Sequence, residues 1–167
     1  MEDQRKYISI RHFLRQYKAG ERNFSEVKIG STTLSGIDLR DINLSKSDLM
    51  GINMSEINLS GANLSGAKML GVNLTNANLS RANLRGTDLS GADCVGTDFS
   101  YADLDYAILS GAIFKEANFY GCEMDNAILV ASDFSDAKNF NGPGVGSFFC
   151  RTFMADESFI QGPNWLE

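Results

Sequence analysis

Asp103, Asp105, Glu123 and Asp125 are the residues of this chain whose types and spacing come closest to a reactive set. Members of each pair are two residues apart, and the pairs are twenty apart. Paired carboxylates serve general acid–base hydrolysis, and oxygen-rich clusters hold hard cations. Tyr101, Tyr106 and Tyr120 lie close in sequence and add rings with a polar tip. The rest of a catalytic constellation is missing. His12 is the single histidine and is far from this run. Cys94, Cys122 and Cys150 have no metal-ligand spacing, and no Ser–His–Asp arrangement stands out. No catalytic, cofactor-binding or metal residue is therefore assigned. The four carboxylates read first as a solvated structural patch and second as a partner contact.

What positions them is a five-residue period running from Arg22 to Asp136 without a gap. Counting by five from Phe24 to Phe134 gives twenty-three centres, all apolar if Cys94 counts as a small hydrophobe. The residue two before each centre is mostly small or β-branched, and the residue just before it is usually Asp or Asn. This period fits neither a helix of 3.6 residues per turn nor a strand of period two. Two inward columns per unit require the chain to turn at every unit, and Gly, Asn, Asp and Ser at the boundaries suit such turns.

Runs such as Ala62-Asn63-Leu64-Ser65-Gly66 and Ala102-Asp103-Leu104-Asp105-Tyr106 carry the resemblance: the stretch is similar to the pentapeptide-repeat family, of pattern A(D/N)LXX. The Gly20-Glu21-Arg22-Asn23-Phe24 junction looks similar to cyanobacterial members. The resemblance implies an all-β solenoid, a right-handed quadrilateral β-helix with four units per coil. Residues twenty apart then stack, nearly six coils fit, and the rod is ~28 Å long at ~4.8 Å per coil. Phe99 should lie on Phe119 and Phe114 on Phe134, beside the small Thr97, Ala112, Ala117 and Ser132. Ile37, Ile42, Ile52 and Ile57 accompany smaller centres, as constant-volume packing requires.

Three segments follow: an N-terminal helical cap over residues 1–21, the β-helix over 22–136, and an irregular C-terminal cap over 137–167. Ile10, Phe13, Leu14 and Tyr17 mark one helix face, Ser9 is the expected N-cap and Gly20 the stop. A short amphipathic helix against a membrane or partner is the alternative for this cap. After Ala137 a polar Asn139 stands at a centre, and Gly142-Pro143-Gly144-Val145-Gly146 breaks the wall. Phe149, Met154 and Phe159 return to phase, so residues 147–161 form either a last distorted coil or a folded-back cap. Trp165 is expected to pin the tail. If the tail leaves the end open, Phe148, Phe153 and Phe159 could build a homodimer through the C-terminal end.

Composition narrows the function classes. The chain has 167 residues, a net charge of −6 and 43% apolar residues, which suits one folded domain without strong nucleic-acid affinity. The N-terminus has no signal-peptide core and no run is long enough to span a membrane, so a soluble cytoplasmic protein with reduced cysteines is expected. On the stacked plan one wall carries Met50, Leu70, Ile108, Ile128 and Val130, with Ile113 around one corner. Ile108, Ile113 and Ile128 occupy positions where the repeat is usually polar. Such aliphatics suggest a contact with the C-terminal tail or with another protein. The reading is a non-enzymatic interaction, scaffold or regulatory module presenting rigid flat faces to a protein partner, with no cofactor. The resemblance supplies one alternative, a DNA mimic that modulates type II topoisomerases such as gyrase, through the four carboxylates. An enzyme with a site at the break around residues 142–149 is the remaining alternative, and no reacting constellation supports it.

Overall fold

The computed structural model describes residues 5–30 and 32–165. Its body is a right-handed, four-sided β-helix with a twenty-residue coil. Parallel pairs join Asn23 to Asn43, Asn43 to Asn63, Asn63 to Asn83 and Asn83 to Asp103 down one wall, and the other three walls repeat the register. Each rung is short. Leu84 N–H donates to Asp103 carbonyl oxygen at 2.8 Å, and Asp103 N–H returns to Ala82 at 3.0 Å. Between rungs one residue turns the corner in the left-handed region, as Gly51 (φ 65°) and Arg81 (φ 60°) do.

The interior is filled by the two inward columns. Leu34, Leu39, Leu44, Leu49 and Met54 are fully buried, and so are Ile42, Ile52 and Ile57 beside them. Toward the C-terminal end the centres become phenylalanine. Phe99 stacks on Phe119 with centroids 5.3 Å apart, and Phe114 on Phe134 at 4.7 Å. Their small neighbours Ala112, Ala117, Thr97 and Ser132 are buried beside them.

The N-terminal end is closed by strand and helix. Strand β1 (Lys6–Ile8) pairs in parallel with β2 (Val27–Ile29), extending one wall by a rung. Helix α1 (Ile10–Lys18) follows, capped by Ser9, whose hydroxyl accepts from His12 N–H. Phe13 is fully buried against Phe24, with centroids 4.6 Å apart, and Ile10, Leu14 and Tyr17 pack on the same core. The apolar helix face is therefore spent on the open end of the solenoid, not offered to a membrane or a partner.

The C-terminal end keeps the register further than the sequence pattern suggests. Lys138 still pairs with Asn118, and β4 (Phe148–Cys150) pairs in parallel with β3 (Ile128–Val130) at an offset of twenty. Stacking ends at Phe153, which pairs with Asp133. The chain then reverses. Strand β5 (Thr152–Phe153) meets β6 (Phe159–Ile160) antiparallel, and β7 (Asn164–Trp165) lies antiparallel on β4. The segment 147–161 is thus a partial coil followed by a fold-back.

Candidate functional site

The wall carrying the four carboxylates is not an unbalanced acidic patch. Asp103 and Asp105 are half-buried, while Glu123 and Asp125 are exposed. Arg85, one coil above Asp105, reaches both members of the first pair. Its Nη1 is 2.6 Å from Asp105 and 3.2 Å from Asp103, and its guanidinium lies 5.2 Å from the Tyr106 ring centroid. Arg85, twenty residues before Asp105, is in register with its acid. These hydrogen bonds hold the Arg85 guanidinium above its ordinary value. Asp105 also accepts from Asp125 N–H at 2.8 Å. Carboxylate oxygens of Asp103, Asp105 and Glu123 lie within 4.8 Å of one another, but Arg85 already holds two of the three groups. The wall is not uniformly flat either. Asp105, Glu123 and Asp125 line a cleft of about 330 Å³ with Gly142 and Gly144.

The Asp or Asn before each centre closes its own turn. Asn63 Oδ1 accepts from Ser65 N–H at 3.1 Å, Asp88 from Ser90 at 3.0 Å and Asn78 from Ser80 at 2.9 Å. This local bond explains why a short polar side chain dominates the column. Ile108, Ile113 and Ile128 stand in that column and cannot make it. They stay open to solvent at 37, 41 and 39%. Ile108 and Ile128 are paired neighbours on one wall. Met50 and Leu70 are also exposed, whereas Val130 is half-buried. Among the described residues, the C-terminal tail does not cover this row. It extends it: β7 adds beyond β4, and Trp165 meets Phe148 with centroids 4.6 Å apart while remaining exposed.

The corner beside the row is bare. Gly51, Gly71, Gly91 and Gly111 form it, all at positive φ, and an added Cβ at the first three would meet nothing within 4 Å. Ile108 and Ile113 therefore face outward on either side of an edge without side chains.

A model of the pentapeptide repeats matches residues 23–61, 57–93 and 92–129. The chain belongs to the pentapeptide-repeat family. No curated protein matches the sequence. Among solved structures, pentapeptide-repeat proteins match along most of the chain. HetL, involved in heterocyst differentiation regulation in the cyanobacterium Nostoc sp. strain PCC 7120, is 22% identical over 91% of this chain and 99% of its own, with a TM-score of 0.47. A trypsin-treated variant of QnrB1, a plasmid-mediated fluoroquinolone resistance protein, is 22% identical over 85% of this chain and 84% of its own, with a TM-score of 0.63. The pentapeptide-repeat protein alr5209 from Nostoc is 26% identical over 83% of this chain and 92% of its own, with a TM-score of 0.30. Pentapeptide-repeat family members are characteristically non-catalytic scaffold or regulatory proteins.

Two features of this pentapeptide-repeat chain were hidden in the sequence pattern. Buried hydroxyls in the small-residue column bond across coils. Thr87 donates to the Leu64 carbonyl at 2.9 Å, Thr97 to Leu74 at 2.7 Å and Ser132 to Leu109 at 2.9 Å. The signal was a Ser or Thr twenty-three residues after an apolar centre. The second feature is a hollow in the C-terminal end of the core. Asn139 takes φ 55°, Phe140 stacks on Phe134 at 4.3 Å, and the next centre is Gly144. An added Cβ at Gly144 would run into the Asp125 side chain and come 3.0 Å from the Asp125 backbone nitrogen, so a larger residue there requires Asp125 to shift. A cavity of about 120 Å³ remains, lined by Phe119, Cys122, Met124 and Phe140 together with the loop residues Asn139, Asn141 and Gly142. Cys122 is half-buried there, and burial followed by the nearby Asp103 and Glu123 charges pushes its thiol up to about 12. Cys94 is fully enclosed.

Proposed function

We propose that the protein is a non-enzymatic binding scaffold that docks a protein partner on the aliphatic row around Ile108, Ile113 and Ile128. The observation that supports this most is the exchange made at those positions. Each isoleucine gives up the side-chain bond that closes neighbouring turns and places apolar surface in water instead. A repeat selected only for stability keeps Asp or Asn there. The bare glycine corner lets one partner contact both walls at once, and the rigid rungs keep the ordering cost of binding low.

The test is a pull-down from the native organism's lysate with the wild type and with Ile108→Asn/Ile128→Asn, after circular dichroism shows equal folding. A protein retained by the wild type and released by the variant supports the reading. An identical catch from both proteins removes this surface from it.

A second reading is a DNA-mimic modulator of a type II topoisomerase. The observation in its favour is the fold likeness to QnrB1, joined to a net charge of −6. Arg85 weighs against the carboxylate wall as the mimic, since it offsets part of the negative charge. A supercoiling assay with DNA gyrase and excess protein separates the readings; unchanged supercoiling would end the second.

A further inference from the structure

The isoleucine row continues into the C-terminal strands as one apolar ladder. Ile108 pairs with Ile128, Ile128 with Phe148, and Phe148 with Trp165. Ile108, Ile128 and Trp165 are exposed, and Phe148 is half-buried. At ~4.8 Å per rung the ladder is ~14 Å long. Carboxylates border it. Asp88 is the rung above Ile108, Asp93 is the rung above Ile113, and exposed Asp125 precedes the corner that leads to Ile128. None of these three acids has an ion pair among the described residues, Asp88 and its upper neighbour Lys68 included. The nearby cations are engaged elsewhere, Lys115 with Asp133 and Arg85 with Asp103 and Asp105. Arg151 stands past Cys150, at the foot of the glycine corner.

We propose that the ladder seats a basic amphipathic helix of another protein, lying along the rod axis. Its apolar face rests on Ile108, Ile128, Phe148 and Trp165, and its lysines or arginines reach Asp88, Asp93 and Asp125. This rests on the docking reading above and names the chemistry of the partner. Repeat distance favours a helix. A helix presents one side chain to the ladder per turn of about 5.4 Å, so four contacts span ~16 Å, within about 2 Å of the ladder. A strand along the axis presents same-face side chains every ~6.7 Å, so four contacts span ~20 Å and lose step with the rungs. Charge favours basic flanks, because the unpaired carboxylates at the rim attract cations and repel an acidic partner. The helix is not α1 of a second copy, since Phe13 and its neighbours are packed on the core of their own chain.

The probe is a tryptophan-free peptide of about fourteen residues, four helical turns, with leucines at i, i+4, i+7 and i+11 and lysines between them. It is titrated into the full chain. Trp165 is the single tryptophan and lies on the ladder, so its emission should shift to the blue and saturate. Two peptides of equal length serve as controls, a helical leucine/glutamate pattern and an alternating leucine/lysine strand pattern. Both should bind more weakly than the helical leucine/lysine peptide. Ile108→Asn/Ile128→Asn should weaken that peptide about tenfold. Asp88→Asn/Asp93→Asn keeps the turn bonds and should weaken it about two- to fivefold, the range of an exposed charge pair. If the isoleucine variant does not fold, the three peptides on the wild type decide. Absence of a saturable shift, undiminished binding to the isoleucine variant, or equal binding of either control peptide overturns the proposal. So does a dimer of the free chain in sedimentation that the isoleucine variant dissolves, because a second copy would then hold the ladder. A lysate partner lost by the isoleucine variant, while the helical peptide fails to bind, ends this inference and leaves the docking reading standing.

Discussion

Arg85 and Asp105 are twenty residues apart in sequence and one coil apart in space, and the guanidinium donates to the carboxylate at 2.6 Å. The same nitrogen also reaches Asp103. Replacing Arg85 by glutamine leaves two stacked carboxylate pairs with no internal cation. The variant should melt below the wild type at low ionic strength, with the gap closing toward about 1 M salt as the charges are screened. Thermal melts at two salt concentrations read this directly. Equal melting at both would mean that the ion pair does not steady the wall.

Ile108→Asn should stabilise the isolated protein. Asparagine restores a bond to Ser110 N–H of the kind that Asn63 makes with Ser65, for a gain of about 0.5–1.5 kcal/mol. Urea denaturation measures it. A destabilised variant would show that the isoleucine packs for the benefit of the fold, and would weaken the case for a contact surface.

Phe114 touches Phe99, Phe119 and Phe134, with centroids 5.8, 5.6 and 4.7 Å away, and it is fully buried. Phe114→Ala opens a void between coils and should cost about 3–5 kcal/mol. The midpoint of the urea transition should fall accordingly.

Thr97→Val keeps shape but leaves the Leu74 carbonyl without the hydroxyl at 2.7 Å. The expected loss is about 1 kcal/mol, well below that of the phenylalanine. Comparison of the two variants in one set of melts separates packing from hydrogen bonding in the core.

Acid should act through Asp133. Burial pushes its carboxyl up, but the hydroxyl and N–H of Ser135 and the ammonium of Lys115 outweigh burial and leave it below the ordinary carboxylate value. A carboxyl lowered on folding contributes stability that is complete above its unfolded value of about 3.9 and is lost as pH falls through the folded value. Asp133→Asn removes that contribution, so its stability should decline less steeply than the wild type's below about pH 4. Denaturation midpoints across that range provide the measurement.

The walls were legible because Leu64 and its equivalents repeat in one phase, and the phase alone determines which residues stack. The chemistry between stacked residues was less legible. Nothing in the sequence marked Arg85, because its partners are eighteen and twenty positions away, and Thr97 looked merely small because its acceptor is twenty-three away. The acidic residues were found, but their charge balance needed the register. At the C-terminal end the periodic signal failed where Phe140 replaced Asn139 inside and Gly144 left a centre empty. The antiparallel pairing of Asn164 and Trp165 carried no periodic signal, since two residues are too short to carry a period, and only the expectation that Trp165 pins the tail pointed to it.

The left-handed corner residue in every unit has a consequence for how such chains can change length. Adding a whole coil lengthens the rod and leaves every later side chain facing the direction it faced before. Adding a single unit instead turns everything downstream by a quarter revolution. Ile108 and Ile128 would then leave the wall that bears Met50 and Leu70 and look out over another. Chain length upstream of residue 108 thus works as a rotary setting: it selects the compass bearing of the C-terminal surface relative to the helical cap.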